Sequence, residues 1–125
     1  MLSMSDNQLT IHDRLEDVLE SINLIQEWSD GRNTVNDFMS SSTGVMAFNA
    51  CVMRLQVIGE HIGKLLKSED KPLDSFPSIP WNAIYGLRNI ISHEYANIDE
   101  EIIVSVINDD LPPLKNAIEA LLKKY

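Results

Sequence analysis

Apolar side chains recur every three or four residues along almost the whole chain, and this period is the strongest constraint on its fold. In the segment TIHDRLEDVLESINLIQEWSD, the repeating residues are Ile11, Leu15, Val18, Ile22, Ile25 and Trp28. Such spacings place side chains along one face of an α-helix. Thr10 is a suitable N-cap for this helix, and Gly31 is a suitable stop.

The segment from Thr43 to Lys67 is predicted to be the central helix because it carries two apolar stripes. One contains Val45, Phe48, Val52, Leu55, Ile62 and Leu66, and the other contains Ala47, Cys51, Ile58 and Leu65. A helix that is apolar on two sides must be covered twice, by its own bundle and by a further layer such as another subunit. Gly59 occupies the position of the first stripe between Leu55 and Ile62, where an apolar side chain would be expected. A glycine there costs about 1 kcal/mol relative to alanine, so we expect close backbone packing.

The remaining segments continue the helical pattern. A short helical turn is expected from Val35 to Met39, and longer helices are expected from Trp81 and after Asp99. Pro112 and Pro113 predict a kink or restart in the last helix, because proline is tolerated only in the first helical turn. No segment alternates in the manner of a strand. The predicted fold is all-α: one domain over residues 1–125, an up-and-down bundle of four main helices, the last one kinked. Met39, Met46 and Met53 are expected in its core.

The overall charge limits the kind of partner. The chain has 10 basic and 19 acidic residues, a net charge of −9 and a pI near 4.6. Proteins that bind nucleic acid tightly and without selectivity usually present a basic face, so that class is disfavoured, although a narrow cleft can still focus positive potential.

Several classes of site and location are also disfavoured. The single cysteine, Cys51, cannot form an internal disulfide, and no Cys/His spacing suits a metal. The start, MLSMSDNQLT, lacks the features of a signal peptide, and no apolar run is long enough to span a membrane. We therefore expect a cytoplasmic protein without a metal site.

Polar groups crowd into the stretch RNIISHEY, which lies within the helix predicted from Trp81. On a regular helix Arg88, Ser92 and Tyr95 share one face, Asn89 and His93 share another, and Arg88 and His93 lie about 140° apart. Arg88 and His93 therefore converge only if the helix loosens near Ser92 or if two subunits bring their copies together. The spacing leaves both arrangements open.

Two interpretations of this cluster follow from its chemistry. A solvated helix face explains the residue types without any function. Alternatively, an imidazole that moves protons and a guanidinium that stabilises a phosphorane-like transition state are what metal-free RNA cleavage needs, because the substrate's 2′-hydroxyl is the nucleophile. In that case Asn89 can fix the ring of His93, while Ser92 and Tyr95 can contact phosphate.

Glu60, on the central helix, also has two interpretations. It is either a partly buried carboxylate paired with a basic side chain, or a group that orients Arg88 or His93 from the neighbouring helix.

The stretch IPWNAIYGLRNIISHEY resembles the signature of the HepT-like family within the HEPN superfamily. That signature has a Pro-Trp pair, an Arg-Asn pair and an R-x4-H-x-Y motif, which match Pro80-Trp81, Arg88-Asn89, His93 and Tyr95. The segments VIGEHIGKLL and DLPPLKNAIEALL are similar to the family's sequence before and after this motif. The resemblance extends from Thr10 over most of the chain.

The resemblance implies a toxin of a type VII-like toxin–antitoxin pair. Such proteins are homodimeric helical bundles that act as metal-independent endoribonucleases without a cofactor, and motifs from both subunits line the cleft. The implied partners are an RNA such as tRNA or mRNA and a minimal nucleotidyltransferase antitoxin, which transfers AMP to the motif tyrosine. By this resemblance Arg88 binds the scissile phosphate, His93 is the general acid and base, and Tyr95 accepts AMP beside Arg88.

One residue next to the motif histidine favours a different function. Glu94 places negative charge where RNA must approach. The alternative is therefore a non-catalytic subunit that holds a nucleotide or docks onto a nucleotidyltransferase.

Overall fold

The computed structural model of the protein describes residues 9–125, and within that range it contains helices and no strand. The helices are α1 (Ile11–Trp28), α2 (Val35–Met39), α3 (Ser42–Leu66), α4 (Trp81–Glu94), α5 (Glu100–Ser105) and α6 (Leu111–Lys124). Short 3-10 turns occupy Pro72–Ser75 and Tyr95–Asn97. The prediction of an all-α fold is confirmed. Most of the N-terminal stretch in which no signal peptide was predicted lies outside the described residues.

The ends of the first two helices follow from local hydrogen bonds. Thr10 Oγ1 accepts a hydrogen bond from the Asp13 backbone N–H at 3.0 Å, and Thr34 Oγ1 accepts one from Asp37 N–H at 3.1 Å. The two aspartates accept hydrogen bonds from the threonine N–H groups in return, so each pair forms a capping box. Gly31 has φ of +78°, in the left-handed region that glycine adopts without strain, just beyond α1.

The four long helices form an up-and-down bundle with α3 at its centre. α3 packs against α1 and α4, and α1 packs against α6. Ile25, Ser21 and Arg14 of α1 pair in turn with Cys51, Arg54 and His61, so α3 runs antiparallel to α1. Lys115 near the start of α6 donates to Gln26 near the end of α1. None of the described helices is long and apolar enough to cross a membrane.

Both predicted stripes of α3 are largely covered inside a single chain. Cys51, Ile58 and Leu65 are buried, and the Cys51 thiol lies 3.9 Å from the Ile25 carbonyl oxygen of α1. The two covers expected for α3 are both present within one chain, because α1 covers one side and α4 covers the other, so the second stripe by itself does not require another subunit.

The methionines correct a second expectation. Met46 and Met53 are 67% and 54% exposed, whereas Met39 packs against the core. Positions 46 and 53 lie seven residues apart and therefore share a face of α3, which points away from both α1 and α4. The prediction that these two residues fill the core was wrong.

A polar seam between α1 and α3 was not expected from the sequence. The buried Arg14 donates from Nη1 to His61 Nδ1 at 3.2 Å, and His61 Nε2 lies 3.4 Å from Asp17 Oδ2. Because an arginine can only donate, His61 Nδ1 is the acceptor and Nε2 carries the proton towards Asp17. Arg54 Nη1 donates to Ser21 Oγ at 3.4 Å further along the same seam.

α3 and α4 approach each other closely at two glycines. A Cβ atom on Gly59 would lie 3.0 Å from Arg88 Cβ and 3.3 Å from the Arg88 backbone nitrogen. A Cβ on Gly63 would collide with the ring of Tyr85. These two glycines are four residues apart and thus lie on one face of α3. The close packing predicted at Gly59 is confirmed.

The last helix is interrupted just before its two prolines. Residues Val106–Asp110 form a π-helical turn, and the Leu111 N–H donates to the Val106 carbonyl, five residues back. Pro112 and Pro113 have no N–H to donate and their rings crowd the preceding turn, so the wider turn lets helix α6 restart at Leu111. The predicted kink or restart therefore lies immediately before the prolines.

Replacing Gly59 by alanine should destabilise the protein. The added methyl group forces α4 away from α3 at a cost of about 1–3 kcal/mol, which exceeds the roughly 1 kcal/mol that alanine gains in helix propensity. Gly86→Ala is a matched control in α4, because its Cβ would have no neighbour within 4 Å. We expect urea denaturation to show that Gly59→Ala lowers the free energy of unfolding and that Gly86→Ala raises it. Equal stabilisation by both would contradict the close-packing argument.

Candidate active site

Helix α4 holds Arg88 and His93 of the R-x4-H-x-Y motif, and Tyr95 follows directly after the helix. The helix is anchored at its start by Trp81, whose indole is buried and donates to the Phe76 carbonyl oxygen at 2.9 Å. Ile84, Leu87 and Ile91 fix its inner face in the core. The backbone leaves α-helical geometry at Glu94, where φ is −125° and ψ is 22°, so the regular part of the helix ends directly after His93.

Arg88 lies on the side of α4 that faces α3. Its backbone and Cβ pack against Gly59, and its side chain lines a small pocket of about 100 Å³. The other lining residues are Glu60, Gly63, Lys64, Lys67 and Tyr85. Lys67 Nζ lies 5.7 Å from the centre of the Tyr85 ring, within the range of a cation–π contact. The pocket thus gathers three of the chain's ten basic residues.

Glu60 lines the same pocket but does not have the predicted environment. Its side chain is exposed, and it forms no ion pair with Arg88 within 4.0 Å. The expectation of a partly buried, paired carboxylate was wrong, because position 60 is on the outer side of α3. A role for Glu60 in orienting Arg88 stays a prediction that its shared pocket makes reasonable.

The other polar residues of α4 divide between two environments. Ser92 is exposed and its Oγ accepts a hydrogen bond from Gln56 Nε2 of α3 at 3.0 Å. Asn89 and His93 are exposed on the outer side of α4, and their side chains form no hydrogen bond with each other in the structure. The predicted fixing of the His93 ring by Asn89 is therefore not seen.

The helical geometry keeps Arg88 and His93 apart in one chain. The two residues lie on the same regular helix and project about 140° apart. Arg88 faces the cationic pocket, while His93 faces outward. A single protomer therefore does not bring the guanidinium and the imidazole together.

Tyr95 lies beyond the end of α4, in the turn Tyr95–Asn97. Its side chain is 49% exposed and borders a second pocket of about 170 Å³. That pocket adjoins the first half of α3, whereas the Arg88 pocket adjoins the second half. Within one chain Tyr95 and Arg88 thus line different pockets, and the placement of a group attached to Tyr95 beside Arg88 stays a prediction.

Sequence reasoning missed the residues of α3 that form this second pocket. Val45, Asn49 and Val52 line it together with Tyr95. Their spacing places them on one helix face, but nothing in the sequence indicated that this face meets the turn after α4. The packing of α4 along α3 brings them together.

Comparison with known proteins gives a consistent family. The family model described as "Ribonuclease HepT-like" matches residues 18–121. A candidate RNase of Methanocaldococcus jannaschii is 30% identical over 105 residues, which cover 84% of this chain and 90% of that protein. A candidate ribonuclease HepT of Thermococcus cleftensis is 31% identical over 111 residues, which cover 89% of this chain and 94% of that protein.

A longer relative and the solved structures complete the comparison. A second M. jannaschii protein, whose name joins a gamma-glutamylcyclotransferase to a candidate RNase, is 31% identical over 110 residues. These cover 88% of this chain but only 46% of that protein. No solved structure matches the chain.

Proposed function

The chain belongs to the HepT-like ribonuclease family, and on this premise we propose that it is a metal-independent endoribonuclease whose chemistry uses Arg88 and His93. The observation that carries the proposal is the placement of these two side chains. One lies in a cationic pocket suited to phosphate, and the other is exposed, where a substrate can reach it. Both project from a helix whose backbone is held by the core.

The proposed reaction cleaves RNA through its own 2′-hydroxyl. His93 removes the proton of the 2′-hydroxyl, and the bond from the 2′-oxygen to phosphorus forms as the bond from phosphorus to the 5′-oxygen breaks. The leaving 5′-oxygen takes a proton from a protonated imidazole. Arg88 donates hydrogen bonds to the phosphate oxygens as their negative charge increases. The products are a 2′,3′-cyclic phosphate and a 5′-hydroxyl.

The working unit is proposed to be a homodimer. Since Arg88 and His93 diverge on one helix, a second copy of the chain is the simple way to bring an arginine to a histidine. Exposed apolar residues support such an interface: Met46 and Met53 on α3 and Ile90 on α4.

Inactivation is proposed to occur by AMP transfer to Tyr95 from a nucleotidyltransferase antitoxin. The phenol oxygen attacks the α-phosphorus of a nucleoside triphosphate, pyrophosphate leaves, and the phenol proton passes to a base of the transferase. The exposure of the Tyr95 side chain supports access by such an enzyme. The product carries a phosphodiester anion and a bulky nucleoside two residues from His93, which hinders the approach of RNA.

Replacing His93 by alanine should abolish RNA cleavage without unfolding the protein. The side chain is exposed, so we expect an unchanged circular dichroism spectrum and a rate about 10²–10⁴-fold lower, the usual contribution of a general acid–base. The measurement is cleavage of tRNA and mRNA in EDTA by protein shown by mass spectrometry to carry no AMP. His12→Ala, on α1, is a matched control that should cleave normally.

The same assay separates the proposal from its alternative. Full activity of His93→Ala would contradict its role in the chemistry. If neither the wild type nor any variant cleaves RNA, the acidic charge and Glu94 favour a non-catalytic nucleotide-binding or partner subunit of a nucleotidyltransferase.

Mixing two inactive variants tests whether the active site is shared between protomers. In a mixed dimer of Arg88→Ala and His93→Ala, one of the two sites retains both wild-type residues if the arginine and histidine come from different chains. Random exchange should therefore restore about a quarter of the wild-type activity. If both residues act within one chain, the mixture stays inactive. Each variant incubated alone is the control.

Co-expression with the cognate transferase tests the modification of Tyr95. We expect peptide mass spectrometry to find added AMP on Tyr95 in the wild type and none in Tyr95→Phe, which should also stay active in the presence of the transferase. Tyr85→Phe, on α4, is the matched control. Neutralisation of the wild type without any AMP on Tyr95 would rule out this mode of regulation.

A further inference from the structure

The pocket beside Tyr95 has a composition that differs from that of the Arg88 pocket. Its apolar wall is formed by Val45, Phe48 and Val52 of α3 together with Met39 and Ile98. Its polar groups are the amide of Asn49, the carboxylate of Glu100 and the phenol of Tyr95. Among residues 9–125, no lysine, arginine or histidine lines it.

These groups suit a neutral, planar ligand with a hydrogen-bonding edge. The carboxylate of Glu100 repels phosphate but accepts hydrogen bonds from amino or imino groups. The amide of Asn49 offers both a donor and an acceptor, which is the pattern that pairs with the edge of a nucleobase. A phenol ring at the rim can stack on an unpaired base, as aromatic side chains do in sites for single-stranded RNA.

The size of the pocket agrees with one base rather than a whole nucleotide. Its volume of about 170 Å³ is well below the roughly 300–1,000 Å³ of pockets that enclose drug-sized ligands. Phosphate therefore has to remain outside. The cations suited to phosphate line the other pocket, and Asn49 and Glu60 mark a separation of about 16 Å between the two pockets along α3.

We propose that the pocket formed by Tyr95, Asn49 and the first half of α3 holds one unstacked nucleobase of the RNA substrate. This inference rests on the proposed ribonuclease function and deepens it, because the pocket then determines which base is accepted near the cleavage site. His93 is two residues before Tyr95, so their Cα atoms are no more than about 7 Å apart, and a base held here brings its strand to the end of α4 that carries His93. The adenine of an AMP attached to Tyr95 has the same chemistry, and the experiments below distinguish the two sources.

The first experiment measures binding without catalysis. Adenosine, guanosine, cytidine and uridine are each added to unmodified His93→Ala protein, and binding is followed by saturation-transfer NMR. We expect at least one nucleoside to bind to His93→Ala. The double variant that carries both His93→Ala and Asn49→Ala should bind that nucleoside about tenfold more weakly. Asn49 is exposed and alanine favours a helix, so the variant should fold. Asn116→Ala on α6 is the matched control and should bind normally.

The second experiment measures base preference during cleavage. Short single-stranded RNAs that differ in one base beside the cleaved bond are compared for wild type, Asn49→Ala and Val45→Phe. Val45 is at the rim, 37% exposed, so a phenylalanine there should obstruct the pocket without entering the core. We expect Asn49→Ala to reduce the preference between bases about tenfold and Val45→Phe to raise KM. Ile102→Phe, at an exposed position outside the pocket, is the control.

The outcomes separate this inference from the proposed function. Nucleoside binding that depends on Asn49, in a protein that cleaves no RNA, supports the base pocket while overturning the ribonuclease proposal. Binding of adenosine alone, with RNA base preference unaffected by Asn49→Ala, assigns the pocket to the AMP on Tyr95 and overturns its role with RNA. A third outcome is normal RNA cleavage, no binding of any nucleoside, and the same base preference in Asn49→Ala and Val45→Phe as in the wild type. That outcome overturns the proposal that the pocket holds a base.

Discussion

The close approach of α3 and α4 is the contact on which the candidate active site depends. Gly59 and Gly63 remove two side chains from α3, which lets the backbone of α4 come near enough for Arg88 and Tyr85 to pack over them. With larger residues, α4 would move outward and Arg88 would lose the wall of its pocket. The glycines thus cost helix stability but set the position of the guanidinium. Gln56 adds a hydrogen bond to Ser92 one turn further along.

Charge is distributed so that a small cationic region stands out from an acidic surface. The chain carries 19 acidic and 10 basic residues, yet Lys64, Lys67 and Arg88 line one pocket. An acidic protein binds RNA poorly along most of its surface, because counterion release requires contacts between cations and phosphates. Binding then depends on the few places where positive potential is concentrated. Such a distribution suits an enzyme that binds RNA at one local feature rather than along an extended length of its backbone.

The end of α4 separates the two polar regions of the molecule. Since α3 and α4 are antiparallel, Gly59 meets Arg88 and Gln56 meets Ser92, so Tyr95 just beyond the end of α4 lies beside the first half of α3. Residues 88 and 95 are seven apart and share a helix face. The second pocket, with a carboxylate and an amide instead of cations, therefore lies further along the same α3–α4 contact. One short segment of sequence thus serves two chemically different surfaces.

The helices, the Thr10 cap and the close packing at Gly59 follow from the sequence alone. These features depend on the period of apolar residues, on Thr10 and on the cost of an internal glycine, all of which are local. The motif around Arg88 and His93 was also visible, as was its family. The sequence did not determine which face of α3 remains uncovered, so Met46 and Met53 were misplaced. The surroundings of Glu60 and Tyr95 likewise depend on how α3 and α4 meet and on where α4 ends, which involve residues far apart in the sequence.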